Sequence, residues 1–170
     1  MRSAFLSVAA MLAAAGLANA GKVEVKNVHL CCGMCVKGVA AALKTVDGVA
    51  DAKCDQKGKT VTFTTKDTKV TAAALKALVD AGYYGAATDD GKELKLDTPT
   101  ADGKADDVTV KGVHVCCKMC QTAINDLFKD AKVSYSGKEA AKDVKISGKG
   151  LDKAKVLETL HKAGFTGKVE

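Results

Sequence analysis

Two short segments hold most of the side chains in this chain that could do chemistry. The first reads His29-Leu30-Cys31-Cys32-Gly33-Met34-Cys35 and the second His114-Val115-Cys116-Cys117-Lys118-Met119-Cys120. Each offers three thiols, one imidazole and one thioether within seven residues. All are electron-pair donors to soft or borderline metal ions. Six of the seven cysteines lie in these segments, so their placement is not scatter. A vicinal pair such as Cys31-Cys32 is awkward to join. Disulfides that staple a fold usually link distant segments, where loop closure gains most. The clustering therefore favours metal or thiol redox chemistry over a disulfide framework.

The elements that must position these donors are also duplicated. Val23 to His29 matches Val108 to His114, and both alternate apolar with polar residues as a half-buried strand does. After the first cassette, Val36, Val39, Ala40 and Leu43 recur at helical spacing, as do Ile124, Leu127 and Phe128 after the second. Each helix thus begins at or just inside the last cysteine, Cys35 or Cys120. A second strand is expected at Ala52–Asp55 and Val133–Ser136, and a third at Thr60–Thr64 and Asp143–Ser147. A second helix carries Leu75, Leu78 and Val79, or Val156, Leu157 and Leu160. It ends in Ala81-Gly82-Tyr83-Tyr84-Gly85 or Ala163-Gly164-Phe165-Thr166-Gly167, where glycine suits a left-handed cap. With a short last strand the order is strand, helix, strand, strand, helix, strand, twice: an α+β class with two tandem ferredoxin-like (βαββαβ) domains.

The expected division is a signal peptide at 1–20, a first metal-binding domain at 21–88, a linker at 89–106 and a second metal-binding domain at 107–170. Arg2 precedes an apolar run from Ala4 to Leu17, and Ala18-Asn19-Ala20 is a small-residue cleavage site, the pattern of a secretory signal peptide. The run is shorter than the roughly 20 residues a membrane span needs. The protein is therefore expected to be exported across the inner membrane, periplasmic or extracellular, without stable membrane insertion. The linker is rich in Asp, Lys, Gly and Thr and holds the only proline, Pro99. As a coil of about 20 residues its ends would lie roughly 25 Å apart, which leaves open whether the cassettes meet. The net charge is +6, but the lysines are interleaved with acids. With no Trp and few other aromatics, a nucleic-acid surface is not expected.

Taken together, Cys32-Gly33-Met34-Cys35 and Cys117-Lys118-Met119-Cys120, each after an alternating strand and before a helix, resemble the Met-x-Cys-x-x-Cys signature of the heavy-metal-associated domain family. That family includes copper chaperones, the N-terminal modules of copper-transporting ATPases and the periplasmic mercury-binding protein. The resemblance implies a ferredoxin-like fold and metal held by Cys32 and Cys35, and by Cys117 and Cys120. It also implies that Tyr83 and Phe165 pack near the sites. The departures are local. Leu30 and Val115 fill the methionine slot, Cys31 and Cys116 replace a small residue, and His29 and His114 replace a glycine.

The metal-ligand set expected is Cys31, Cys32, Cys35, Cys116, Cys117 and Cys120, with His29, Met34, His114 and Met119 as further candidates. Adjacent residues of an extended segment point to opposite faces, so Cys31 faces away from Cys35 unless the loop turns. His29 and His114 could equally be outer donors or exposed strand ends, and the methionines could merely cover the site. Cys54 reads as a small buried apolar residue and His161 as a surface helix residue. Thiolate is the binding form, and a helix N-terminus favours it. Cu(I) is the favoured ion; three thiolates plus imidazole also suit Zn(II), and two thiolates suit Hg(II). The expected function is a non-catalytic exported Cu(I) carrier, buffer or scavenger. Its expected partners are the metal ion and a metal-transporting membrane protein or another metallochaperone. The alternatives are a thiol–disulfide oxidoreductase on the same cysteines, disfavoured because the one proline lies outside any thioredoxin-like context, and a disulfide-bonded structural or adhesion module.

Overall fold

The computed structural model describes residues 21–137 and 139–170; the signal segment expected at 1–20 lies outside the described residues. The first unit runs β1 (Gly21–Lys26), α1 (Gly33–Lys44), β2 (Val49–Asp55), β3 (Thr60–Thr65), α2 (Thr68–Asp80), β4 (Ala86–Asp89) and β5 (Lys92–Leu94). The second runs β6 (Lys104–His114), α3 (Lys118–Leu127), β7 (Lys132–Ser136), β8 (Ala141–Asp152), α4 (Lys153–Lys162) and β9 (Lys168–Val169). The sheets are antiparallel, ordered β2-β3-β1-β4-β5 and β7-β8-β6-β9. Apart from β5, the two units share one topology, the split βαβ arrangement compatible with a ferredoxin-like fold. Among the described residues no helix is long and apolar enough to cross a membrane.

The alternation read from the sequence explains the core. Val23 and Val25 of β1, and Val61 and Phe63 of β3, turn their buried faces onto Val39 and Leu43 of α1 and Leu78 of α2. Val108, Val110, Val144 and Ile146 do the same beneath Ile124 and Leu160. The apolar cluster is continuous through both units, so they share an interior rather than hanging on a tether.

Two expectations are corrected. The stretch expected as linker, 89–106, is partly built into the sheets. An Asp90-Gly91 turn with both φ positive, +47° and +81°, folds β5 back onto β4, the hairpin geometry that Asp-Gly favours. In addition, β6 begins at Lys104. The first strand also stops early, at Lys26 rather than His29, because Asn27 takes a left-handed φ of +62°. Its counterpart Gly112 has φ +74° and sits at a register shift within β6. Asn and Gly are the residues that tolerate this conformation, and the kink aims both cassettes out of their sheets.

Candidate metal centre

Helix starts distinguish the site from the scaffold. Helices α2 and α4 are capped by Asp67 and Asp152, which accept from the amides of Val70 (2.9 Å) and Lys155 (3.1 Å). At α1 and α3 the cap positions are Cys32 and Cys117, both extended, with no side-chain cap bond. An Asp or Ser there would be worth about 1 kcal/mol. The cysteines forgo it and leave the positive helix ends facing sulfur.

The two units face each other across a pseudo-twofold axis. Tyr83 and Phe165 form an antiparallel bridge. The Tyr84 amide donates to the Gly164 carbonyl and the Thr166 amide to the Gly82 carbonyl, each at 3.1 Å. Gly82 lies against the backbone of Gly112 to His114, and Gly164 against that of Asn27 to His29. Both have left-handed φ, +82° and +84°. A Cβ at either would press on backbone atoms that no side-chain rotation can move aside. These glycines therefore do more than cap helices.

This docking brings the cassettes into one cluster. The Sγ of Cys31 lies 3.6 Å from Cys35, 3.6 Å from Cys117 and 3.4 Å from Cys120. Cys116 mirrors it, 3.6 Å from Cys32, 3.6 Å from Cys35 and 3.8 Å from Cys120. The Cys-x-x-Cys pairs are 4.0 Å apart in the first unit and 3.8 Å in the second. All are free thiols. Cys31 therefore points inward, not away from Cys35, because the chain turns at Asn27 before entering the helix.

The histidines cross over. His114 is 5% exposed, so it is not a solvent-facing strand end. It stacks on Tyr83 with ring centroids 4.4 Å apart. The Tyr83 hydroxyl donates to the Cys35 carbonyl at 2.9 Å and lies 3.0 Å from His114 Nε2. With its one hydrogen committed, it accepts from Nε2–H, an assignment from the network. His29 stacks on Phe165 at 4.1 Å. Phenylalanine has no hydroxyl, and the buried His29 Nε2 has no hydrogen-bond partner. One ligand atom of His29 lies within 4.8 Å of the sulfurs of Cys31 and Cys120, and one of His114 equally near Cys35 and Cys116. Each aromatic expected beside its own cassette thus covers the histidine of the other unit.

Close approach sets the thiols apart in acidity. The Cys120 thiol holds Cys35 well below the ordinary thiol range, and it outweighs burial, with help from His114 and the amides of Cys32 and Cys31. Cys120 is pushed up, first by its hydrogen bond to Cys35 and then by burial. Burial raises Cys31 to about 12 and raises Cys116 further. At Cys117 burial is overcome by the amides of Cys120 and Met119 and the thiols of Cys31 and Cys120, which bring it to about 7. Burial also lowers His29.

Other candidates lie apart. Met34 and Met119 are each 54% exposed and do not enter the sulfur cluster. Cys54 packs on the core, and burial raises its pKa. His161 is not a plain surface residue: it stacks on Tyr84 at 3.9 Å and pairs with Thr166 Oγ1 at 3.0 Å.

The donor set suits a soft ion. With metal–sulfur bonds of about 2.3 Å, trigonal and tetrahedral sites place sulfurs about 3.8–4.0 Å apart and a linear site about 4.6 Å apart. The observed 3.4–4.0 Å lies at and just inside the trigonal and tetrahedral values.

Residues 22–84 match the family model described as "Heavy-metal-associated domain". No curated protein matches the chain. Among solved structures, the first two RRM domains of the yeast poly(U)-binding protein Pub1 align at 12% identity over 88% of this chain and 97% of that one, with a TM-score of 0.29. So loose an overlap carries no argument.

Proposed function

With residues 22–84 a heavy-metal-associated domain, we propose that this protein is an exported, non-catalytic Cu(I) carrier or buffer. The second unit acts as a further metal-binding half. The observation that carries this reading is the convergence of six thiols, with the closest sulfurs 3.4 Å apart, behind two uncapped helix ends. Thiolates select Cu(I) over hard ions, and the half-buried Cys31, Cys32, Cys116 and Cys117 give the deeper Cys35 and Cys120 a route in and out. A signal-like N-terminus supports a periplasmic or extracellular location, with a metal-transporting membrane protein or another metallochaperone as exchange partner.

The test is anaerobic Cu(I) titration against a competing chromophoric chelator. The protein should withdraw copper from the chelator, and the variant with Cys32, Cys35, Cys117 and Cys120 all changed to Ser should not. Equal uptake by that variant would sink the reading, and preferential retention of Zn(II) or Hg(II) would replace the ion. The free Cys-x-x-Cys pairs at the starts of α1 and α3 keep a thiol–disulfide oxidoreductase as the second reading. Sustained insulin reduction by the metal-free protein would favour it.

A further inference from the structure

The metal-binding reading leaves open whether each unit holds its own ion. The sulfur positions argue against two separate sites. Sulfurs approach one another as closely between units, at 3.4 Å for Cys31 with Cys120 and 3.6 Å for Cys32 with Cys116, as within them, at 3.6 Å for Cys31 with Cys35 and 4.0 and 3.8 Å for the Cys-x-x-Cys pairs. The six sulfurs form one cluster with no gap between the units.

The pattern of approaches is that of an octahedron. Cys31 neighbours Cys35, Cys117 and Cys120, and lies within 4.8 Å of Cys32. Cys116 neighbours Cys32, Cys35 and Cys120, and lies within 4.8 Å of Cys117. Cys32 and Cys117 lie within 4.8 Å of each other. Cys35 is hydrogen-bonded to Cys120, which completes the twelve edges and leaves Cys31 opposite Cys116, Cys32 opposite Cys120, and Cys35 opposite Cys117. An octahedron of thiolates offers triangular faces. A Cu(I) ion in a face is trigonal, and when each thiolate bridges two ions, six thiolates serve about four Cu(I).

We propose that the six cassette thiols form a single cage that holds one tetranuclear Cu(I)–thiolate cluster shared by both units. This rests on the Cu(I)-binding reading above. Loading forms copper–sulfur bonds as every cassette sulfur still protonated releases its proton to solvent. Copper enters and stays as Cu(I), so no electron moves. The cluster keeps a residual charge of about −2, and the N-terminal ends of α1 and α3 converge on it, where helix dipoles favour anions. Cys31 and Cys116 are essential here: without them no face spans the axis. His29, which has one ring nitrogen within 4.8 Å of Cys31 and Cys120 and an unpartnered buried Nε2, is a wall group of this cage.

The deciding experiment is anaerobic Cu(I) titration of the full exported chain followed by native mass spectrometry, with copper-edge X-ray absorption on the loaded protein. The expected result is a direct passage from empty protein to about four Cu(I) per chain, without build-up of singly loaded species, and a short copper–copper path. Cys116→Ser should abolish this step for the whole chain, not for one half. Stepwise loading to one ion per unit, with no copper–copper path, would overturn the shared cage and leave the Cu(I)-binding reading standing. No copper uptake at all would overturn both. The measurements on unsubstituted protein decide the question even if Cys116→Ser does not fold.

Discussion

Replacing Gly164 by Ala should separate the two halves of the cage without touching a thiol. Two costs are legible in the structure. Alanine at a left-handed φ of +84° is strained by about 1–2 kcal/mol. The added Cβ would also press on the backbone of Asn27, Val28 and His29. The interface must then open, stretching the 3.1 Å bond from Tyr84 and the 3.4 Å bond from His29 to the Gly164 carbonyl, each worth about 0.5–1.5 kcal/mol. The total is about 2–5 kcal/mol. Gly91→Ala is the control. It has nearly the same φ, +81°, with nothing within 4 Å of the added Cβ, and should cost only the conformational part. Denaturant unfolding of the metal-free chains measures both. Gly164→Ala should exceed Gly91→Ala by about 1–3 kcal/mol and lower the copper loaded per chain, whereas Gly91→Ala leaves loading intact. Equal costs and equal loading would refute the claim that this close approach holds the units together.

Tyr83→Phe copies the residue that the second unit carries at Phe165, so it fits. It leaves the Cys35 carbonyl and His114 Nε2 without their partner, and metal-free stability should fall by about 1–3 kcal/mol in thermal unfolding; no loss would mean that water takes over both bonds. Met34→Ala and Met119→Ala remove half-exposed side chains, so Cu(I) affinity by chelator competition should change less than about threefold; a larger loss would make the methionines ligands. Burial lowers His161 from 6.5, so the unfolded chain takes up this proton first as pH falls. The stability that neutral His161 contributes is full above pH 6.5 and is lost progressively below it, towards the lower folded value. Unfolding midpoints from pH 8 to pH 5 should show this loss, and His161→Gln should flatten it; a slope unchanged in that variant would assign it to other groups.

Much of the scaffold was legible because it is local. Period-two alternation at Val23 and Val25, helical spacing at Val39 and Leu43, and glycine at Gly82 and Gly164 are each set by a few neighbouring residues. The duplicated cassette was legible as chemistry for the same reason. The meeting of the cassettes was not, because it depends on two backbones packing at long range. The signal was present in part: a helix cap needs one left-handed glycine, and that requirement hid a second role, close approach to another chain segment. Asn27 and Gly112 also mark where each strand kinks, although the apolar–polar alternation itself runs on to His29 and His114. The β5 hairpin was announced by Asp90-Gly91 within a stretch whose polar composition read as linker.

The crossing also explains why the two copies differ where they do. If each cassette served its own unit, the residue over it would answer to that unit alone. Instead Tyr83 bonds its own Cys35 carbonyl and the His114 ring of the other unit, whereas Phe165 leaves His29 Nε2 bare. One histidine is held by a hydroxyl at Nε2, and the other stacks on Phe165 with its Nε2 unpartnered. Duplication supplies the symmetric thiol cage, and the exchange of one hydroxyl for hydrogen makes its two ends unequal.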